Sequence, residues 1–264
     1  MKVFSEAKRI VVKVGSSSLT YANGRINLRM FERLCHLLAD IMNSGRELVL
    51  VSSGAIPVGL PKLGLHARPK DMAKKQAASA AGQCELMYMY DRQFAEYHRD
   101  VAQILLTRDV VEDPKRKKYV QDTFEELISS GILPIVNEND TIAVEEIDFG
   151  DNDTLSAIVA SITRADALVI LSDIDGLYDG NPSTDPQAAL IERVTEIDEH
   201  IERIAGGAGT ERGTGGMATK IAAARICFAN NCSMAIMNSA KMDELYDLLD
   251  GKPVGTIFMK EVSE

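Results

Sequence analysis

Short β-branched runs alternate with longer amphipathic stretches from one end of the chain to the other, and a chain so patterned has few ways to fold. Residues 9–15 (RIVVKVG) form a continuous apolar run closed by glycine, as expected of a strand buried on both faces. From Leu28 the apolar residues recur at Phe31, Leu34, Cys35, Leu38, Ile41 and Met42, a helical period that stops at Gly45. Strands are then expected at 47–52, 102–107, 132–136, 167–171, 234–237 and, as an edge strand, 254–259. Helices are expected at 71–98, through Val120, Phe124, Leu127 and Ile128 up to Gly131, at 152–164, around Ile197, Ile201 and Ile204, from Met217, and at 242–249. A looped insertion at 175–189 has room for a short hairpin. Strands joined through helices require right-handed crossovers, hence a mainly parallel sheet with helices on both faces.

Composition narrows the function. The chain has 264 residues, 45% hydrophobic and 26% charged, enough for a large core and unlike a disordered polymer. Its 39 acidic and 29 basic residues leave a formal charge of −10, which argues against nucleic acid as a partner. The apolar run behind Lys2, Lys8 and Arg9 is too short for a secretory signal, and no stretch approaches the ~20 apolar residues of a membrane span. A cytoplasmic protein without a membrane partner is expected. Cys35, Cys84, Cys227 and Cys232 read as buried thiols, since a chain of this size needs no disulfides.

Ligands of open α/β sheets bind beyond the carboxyl ends of the strands. That rule selects 13–18, 52–55, 137–141, 172–176 and 238–239 as candidate site segments. Lys13 interrupts an otherwise apolar strand, and a lysine there costs desolvation unless an anion or carboxylate receives it. The sequence GTGGMATK at 213–220 runs into an apolar helix; its glycines, the helix amides and Lys220 are the components of a phosphate cradle. It follows neither the Walker A nor the dinucleotide spacing. The segments NENDT (137–141) and GDNDTLSA (150–157) bring four carboxylates and three asparagines to loop ends, more than capping of the next helix requires. Neither DNDT nor Asp173 and Asp175 fit a calcium loop. His36, His66, His98 and His200 lack ligand spacing, VSSGA and GSSSL are not nucleophile elbows, and the basic run 115–118 reads as a solvated helix face.

The motifs KVGSS, VSSGA, NENDT, GDNDTLSA, LSDIDGLY and GTGGMATK occur in this order along essentially the whole chain, and together they resemble the glutamate 5-kinases of the amino acid kinase superfamily. The resemblance implies a three-layer αβα sandwich around a mainly parallel sheet of about eight strands. It implies one kinase domain over 1–264, with a substrate-binding half at about 1–171 and a nucleotide-binding half at about 172–264; the C-terminal PUA domain that many members of the family carry is not expected in this sequence. It implies ATP and magnesium as co-substrates, with the metal held mainly by the nucleotide phosphates rather than by protein ligands, and transfer of the γ-phosphate to the side chain of L-glutamate. Lys13, Asp153 and Lys220 match the catalytic positions, Asp153 organising the two lysines. Lys13, Gly15, Ser16, Ser172, Asp173, Thr214, Gly215, Gly216, Met217, Ala218, Thr219 and Lys220 match ATP-binding positions; Ser53, Gly54, Ala55, Asp140 and Asn152 match glutamate-binding ones. A homodimer or homotetramer and feedback inhibition by proline are further implications. Asn181 and Asp148 depart from residues common in the family. The rival readings are a related kinase with a different carboxylate substrate and a non-catalytic amino-acid sensor.

Overall fold

The computed structural model describes residues 2–21, 23–142, 152–207 and 216–260. In chain order the elements are α1 (Lys2–Ser5), β1 (Arg9–Val14), α2 (Ser16–Leu19), α3 (Leu28–Asn43), β2 (Glu47–Ser52), α4 (Ala55–Gly59), α5 (Met72–Ala95), β3 (Val101–Leu106), α6 (Arg108–Glu112), α7 (Pro114–Ser129), β4 (Leu133–Glu138), α8 (Asn152–Thr163), β5 (Ala167–Ser172), β6 (Arg193–Val194), α9 (Glu199–Gly207), α10 (Met217–Ala229), β7 (Ser233–Asn238), α11 (Glu244–Leu249) and β8 (Thr256–Phe258). The contacts divide them into two compact units, residues 14–149 and residues 1–13 with 150–264.

In the 14–149 unit the strand order is β3-β4-β2. β3 and β4 run parallel over six residue pairs, from Val101 opposite Leu133 to Leu106 opposite Glu138, and β2 joins β4 in parallel through Leu50 and Val51. β2 is buried from Leu48 to Ser52, which is what its unbroken apolar run requires. Asn27, Asp71 and Asp113 cap α3, α5 and α7 by accepting from the amides of Met30, Lys74 and Arg116. Gly45 and Gly131 end the helical segments with φ of 93° and 74°, a conformation that only glycine adopts without strain. α4 and α5 approach each other closely. A Cβ on Gly82 would stand 1.8 Å from the Ala55 carbonyl oxygen, and one on Gly59 1.8 Å from that of Ala78. Backbone therefore meets backbone at this crossing.

The other unit has the order β1-β5-β7-β8-β6. β5 and β7 pair in parallel over six residues, from Ala167 opposite Ser233 to Ser172 opposite Asn238. β8 runs antiparallel to β7, and β6 is parallel to β8. The segment expected as an edge strand thus lies between β7 and the two-residue β6, a strand too short for a hydrophobic period to reveal. The insertion at 175–189 shows a single antiparallel bridge, Tyr178 with Leu190, in place of a hairpin.

Cys35, Cys227 and Cys232 are buried, whereas Cys84 is exposed, because α5 turns that position away from Ala78, Gly82 and Leu86. Burial raises the Cys35 thiol, and the hydrogen bond with Cys232, followed by burial, raises Cys227. Neither is a poised nucleophile. All four histidines are exposed. Among the described residues no helix is long and apolar enough to cross a membrane.

Candidate active site

Three ionisable residues far apart in sequence meet within the unit formed by 1–13 and 150–264. Lys13 leaves β1 near its carboxyl end, Asp153 lies in the first turn of α8, and Lys220 lies in the first turn of α10. Lys13 Nζ is 2.6 Å from Asp153 Oδ1, and Lys220 Nζ is 3.1 Å from Asp153 Oδ2. The side chains are 11%, 5% and 0% exposed for Lys13, Lys220 and Asp153, so water screens these charges little. Burial alone would raise the Asp153 carboxyl; Lys13 and then Lys220 outweigh it and hold the carboxyl below its ordinary range. Asp153 therefore stays anionic at neutral pH, and two ammonium groups over one carboxylate leave a formal charge of +1.

The neighbouring polar groups fix this carboxylate in place. The Thr219 hydroxyl is shared between Asp153 Oδ2 at 2.9 Å and the Gly216 carbonyl at 2.7 Å, while Ser156 donates to the Asp153 carbonyl at 2.6 Å. Gly216 is the N-cap of α10, with Met217, Ala218, Thr219 and Lys220 forming its first turn. The first amides of a helix lack intrahelical acceptors and attract anions. A cationic pair beside such a terminus fits a polyanion such as a triphosphate. Thr214 and Gly215, expected in the same segment, lie outside the described residues, as do Asp148 and Asp151. Sequence reasoning placed Thr219 against nucleotide; its hydroxyl is on Asp153.

Beyond the carboxyl ends of β5 and β7 there is a cavity of about 510 Å³ lined by Asp175, Tyr178, Met237, Asn238, Lys241 and Val254, among others. Small-molecule sites commonly have this size. Asp175 accepts from Lys241 at 2.9 Å and from Asn238 at 3.1 Å. The Lys241 hydrogen bond is the first cause that lowers its carboxyl, against the opposing effect of burial. The strand-end rule had selected 172–176 and 238–239; Tyr178 and Lys241 escaped it because they lie a turn beyond those segments. Ser172 is buried at the end of β5, and its hydroxyl donates to Asp173 at 3.2 Å. Asn152 opens α8, and Asn181 is exposed, receiving the Ser183 amide at 3.0 Å. Among the described residues no group of three or more His, Cys, Asp or Glu is placed to hold a metal ion.

The remaining expected residues are in the 14–149 unit. Gly15 caps the single turn α2, which begins at Ser16. Ser53 and Gly54 join β2 to α4, whose first residue is Ala55, and the Ser53 amide donates to the Val14 carbonyl at 3.1 Å. Asp140 is half-buried just after β4 and accepts from the Ser79 hydroxyl at 2.5 Å. The buried Asn137 side chain donates to Gln83 at 2.9 Å, and Ser52 exchanges a 2.8 Å hydrogen bond with Tyr90. Ser79 and Gln83 were not singled out from sequence, since a polar residue in a helix carries no sign of a partner some 50 to 60 positions away.

The pattern of the amino acid kinase family matches residues 8–238. The glutamate 5-kinase of Clostridium perfringens is 50% identical, over 100% of this chain and 99% of the relative, and that of Enterococcus faecalis is 49% identical over 97% and 96%. Among solved structures, the carbamate kinase from Giardia lamblia bound to AMP-PNP superimposes with a TM-score of 0.69 over 97% of this chain and 100% of its own, at 18% identity. That likeness shows the fold, an eight-stranded and mostly parallel sheet with flanking helices. By the family match and by identity along its full length, the chain belongs to the amino acid kinase family, within its glutamate 5-kinase group.

Proposed function

We propose that the protein transfers the γ-phosphate of ATP to the side-chain carboxylate of L-glutamate, giving glutamyl 5-phosphate, the first step of proline biosynthesis. The observation that carries the chemistry is the pair of buried lysines on Asp153, supported by the relatives' full-length identity. A glutamate side chain has an ordinary pKa of about 4.3, so at neutral pH it is already the nucleophile and needs no general base. An anion attacking a polyanion does need fixed positive charge. A glutamate oxygen bonds to the γ-phosphorus as the bond to the β,γ-bridging oxygen breaks, and ADP leaves with that electron pair. Lys13 offsets charge on the transferring group and Lys220 charge on the leaving side. Asp153, with Thr219, keeps both ammonium groups aimed while leaving their sum positive.

The first turn of α10 supplies amides to the phosphates, with Ser172 and Asp173 completing the nucleotide contacts. The cavity at Asp175, Asn238 and Lys241, which follows Ser172 and Asp173 in sequence, takes the nucleoside part. Gly15 and Ser16 contribute amides near the phosphates. Magnesium, held mainly by the nucleotide rather than by this chain's residues, would offset charge on the phosphate oxygens when bound. Asp140 accepts the glutamate ammonium; Asn152, with Ser53, Gly54 and Ala55, hydrogen-bonds the substrate oxygens. On this reading about 1–171 is the substrate-binding half and about 172–264 the nucleotide-binding half. A cytoplasmic homo-oligomer inhibited by proline belongs to the same proposal, through membership of the group.

The test is hydroxamate formation, which traps an acyl phosphate, with glutamate, aspartate and N-acetylglutamate compared at equal concentration in the presence of magnesium and ATP. Glutamate is expected to give at least ~100-fold more product than the others. A preference for another carboxylate would make the protein a kinase of different specificity. Absence of hydroxamate with all three, from folded protein that binds glutamate, would make it a binding protein.

A further inference from the structure

One face of α5 touches both segments assigned above to glutamate. Ser79, Gly82, Gln83, Leu86 and Tyr90 fall at helical spacing, so they share a stripe. Gly82 lets α5 approach the Ala55 carbonyl too closely for any Cβ, which fixes the start of α4 just after Ser53 and Gly54. Leu86 packs with Ala55 and Val58, and Tyr90 holds Ser52 from the preceding strand. Toward its N-terminal end the same stripe turns to the second segment: Gln83 receives the Asn137 amide at 2.9 Å, and Ser79 donates to Asp140 at 2.5 Å. Ser79 and Gln83 are both buried, so these bonds are shielded from water and locate NENDT against α5.

We propose that Ser79 is a positioning residue for the amino-acid substrate: its hydroxyl fixes the rotamer of Asp140, so that the carboxylate awaits the substrate ammonium without being ordered by it. This rests on the assignment of Asp140 to glutamate. A carboxylate left to rotate must be immobilised when substrate binds, and that cost falls on affinity for the amino acid. The Ser79 bond favours one carboxylate conformer, and a carboxylate has acceptor sites beyond the one that Ser79 occupies. Because the stripe carries Ser53 to Ala55 as well, it sets the separation of the two substrate segments, with Ser79 the member that reaches a ligand-contacting side chain.

Hydrogen bonds to charged groups are strong enough that Ser79→Ala should raise the glutamate KM about tenfold. The ATP KM and kcat should stay within about twofold. The decisive measurement is a double-mutant cycle with Asp140→Asn, read by glutamate KM and accompanied by thermal melting of each variant. Ser79→Ala is expected to add less than about twofold in the Asp140→Asn background, because the group it positions is gone. An equal rise in both backgrounds, or a rise in both KM values, would mean that Ser79 acts on the fold at large and would overturn the proposal. A neutral Ser79→Ala, with Asp140→Asn raising the glutamate KM, would overturn the positioning role while leaving the substrate assignment standing. An Asp140→Asn variant with unchanged glutamate KM would reject that assignment, and the role of Ser79 with it.

Discussion

The cluster on Asp153 and the stripe on α5 are both buried polar devices, yet they are built on opposite principles. Around Asp153 there are three formal charges in contact, and the arrangement is held by Coulomb attraction in a place water barely reaches. Along α5 the bonds are between amides, hydroxyls and one half-buried carboxylate, and the arrangement is held by a helix–helix contact too tight for a side chain. A device of charges acts on the energy of a developing transition state. A device of shape acts on where a ligand is received. Damage to the first should therefore appear in kcat, and damage to the second in the KM of the amino acid.

The largest effect is expected from Lys13→Ala and Lys220→Ala, each of which should lower kcat by at least ~100-fold if it stabilises transition-state charge. Asp153→Asn should do the same and also lower the melting temperature. Removing the central anion leaves two buried cations facing each other, and breaking a buried pair typically costs about 3–5 kcal/mol. Steady-state kinetics with circular dichroism on each variant would check this. Folded lysine variants that change the glutamate KM and spare kcat would erase the contrast. The next effect is that of Asp140→Ala, expected to raise the glutamate KM about 10- to 100-fold while the ATP KM moves less than about twofold. Comparable changes in both would mean that Asp140 is structural.

Gly82→Ala probes the shape device alone, since it changes no charge and no hydrogen-bonding group. Its Cβ would fall 1.8 Å from the Ala55 carbonyl oxygen and 2.6 Å from the Gly59 amide nitrogen, so α4 and α5 must separate. Overpacking of this kind costs about 1–3 kcal/mol. At about 2–4 °C per kcal/mol for a protein of this size, differential scanning calorimetry should find the melting temperature lower by several degrees. The glutamate KM should rise with it and kcat should move less. An unchanged melting temperature would mean that the crossing yields, and the stripe would then lose its rigidity as an explanation.

These two devices were unequally legible in the amino-acid sequence. Lys13 stands out because it breaks a β-branched run, and Lys220 because it follows a glycine-rich helix start; both are violations of a local pattern. Their meeting on Asp153 is what the motif resemblance implies, although without that resemblance no local pattern distinguishes a helix-capping aspartate from one with no exposed surface. The α5 stripe breaks no pattern. The small residues Ala78 and Gly82 look like ordinary filling in an alanine-rich helix, and they matter because of Gly59 and Ala55, about 20 to 30 positions upstream. The turn α4 has no signature in the sequence, since five residues are too few to show a helical period, and Cys84 reads as buried since the weak amphipathicity of α5 hides which of its sides faces inward. Local violations can be read in one dimension; close approach between backbones has to be seen in three.

Acid offers the mildest way to separate the two regions, because at neutral pH it changes nothing. The Asp153 carboxyl is held below its ordinary range in the folded protein, so folding releases its proton more readily than the unfolded chain does. A depressed carboxyl contributes stability that is fully present above the unfolded value, about 3.9 for aspartate, and is lost as the pH falls through the lower folded value. Along α5 the Gln83–Asn137 and Ser52–Tyr90 bonds contain no group that titrates in acid, and the Asp140 carboxylate that accepts from Ser79 is present in both the wild type and Gly82→Ala. Urea unfolding of the wild type and of Asp153→Asn should thus show a gap in stability that is constant from pH 7 down to the ordinary carboxylate range and narrows below it. The corresponding gap between the wild type and Gly82→Ala should stay constant across the same window. A gap for Asp153→Asn that begins to close near pH 6 would place the carboxyl above its ordinary range, and would mean that burial prevails over the two lysines.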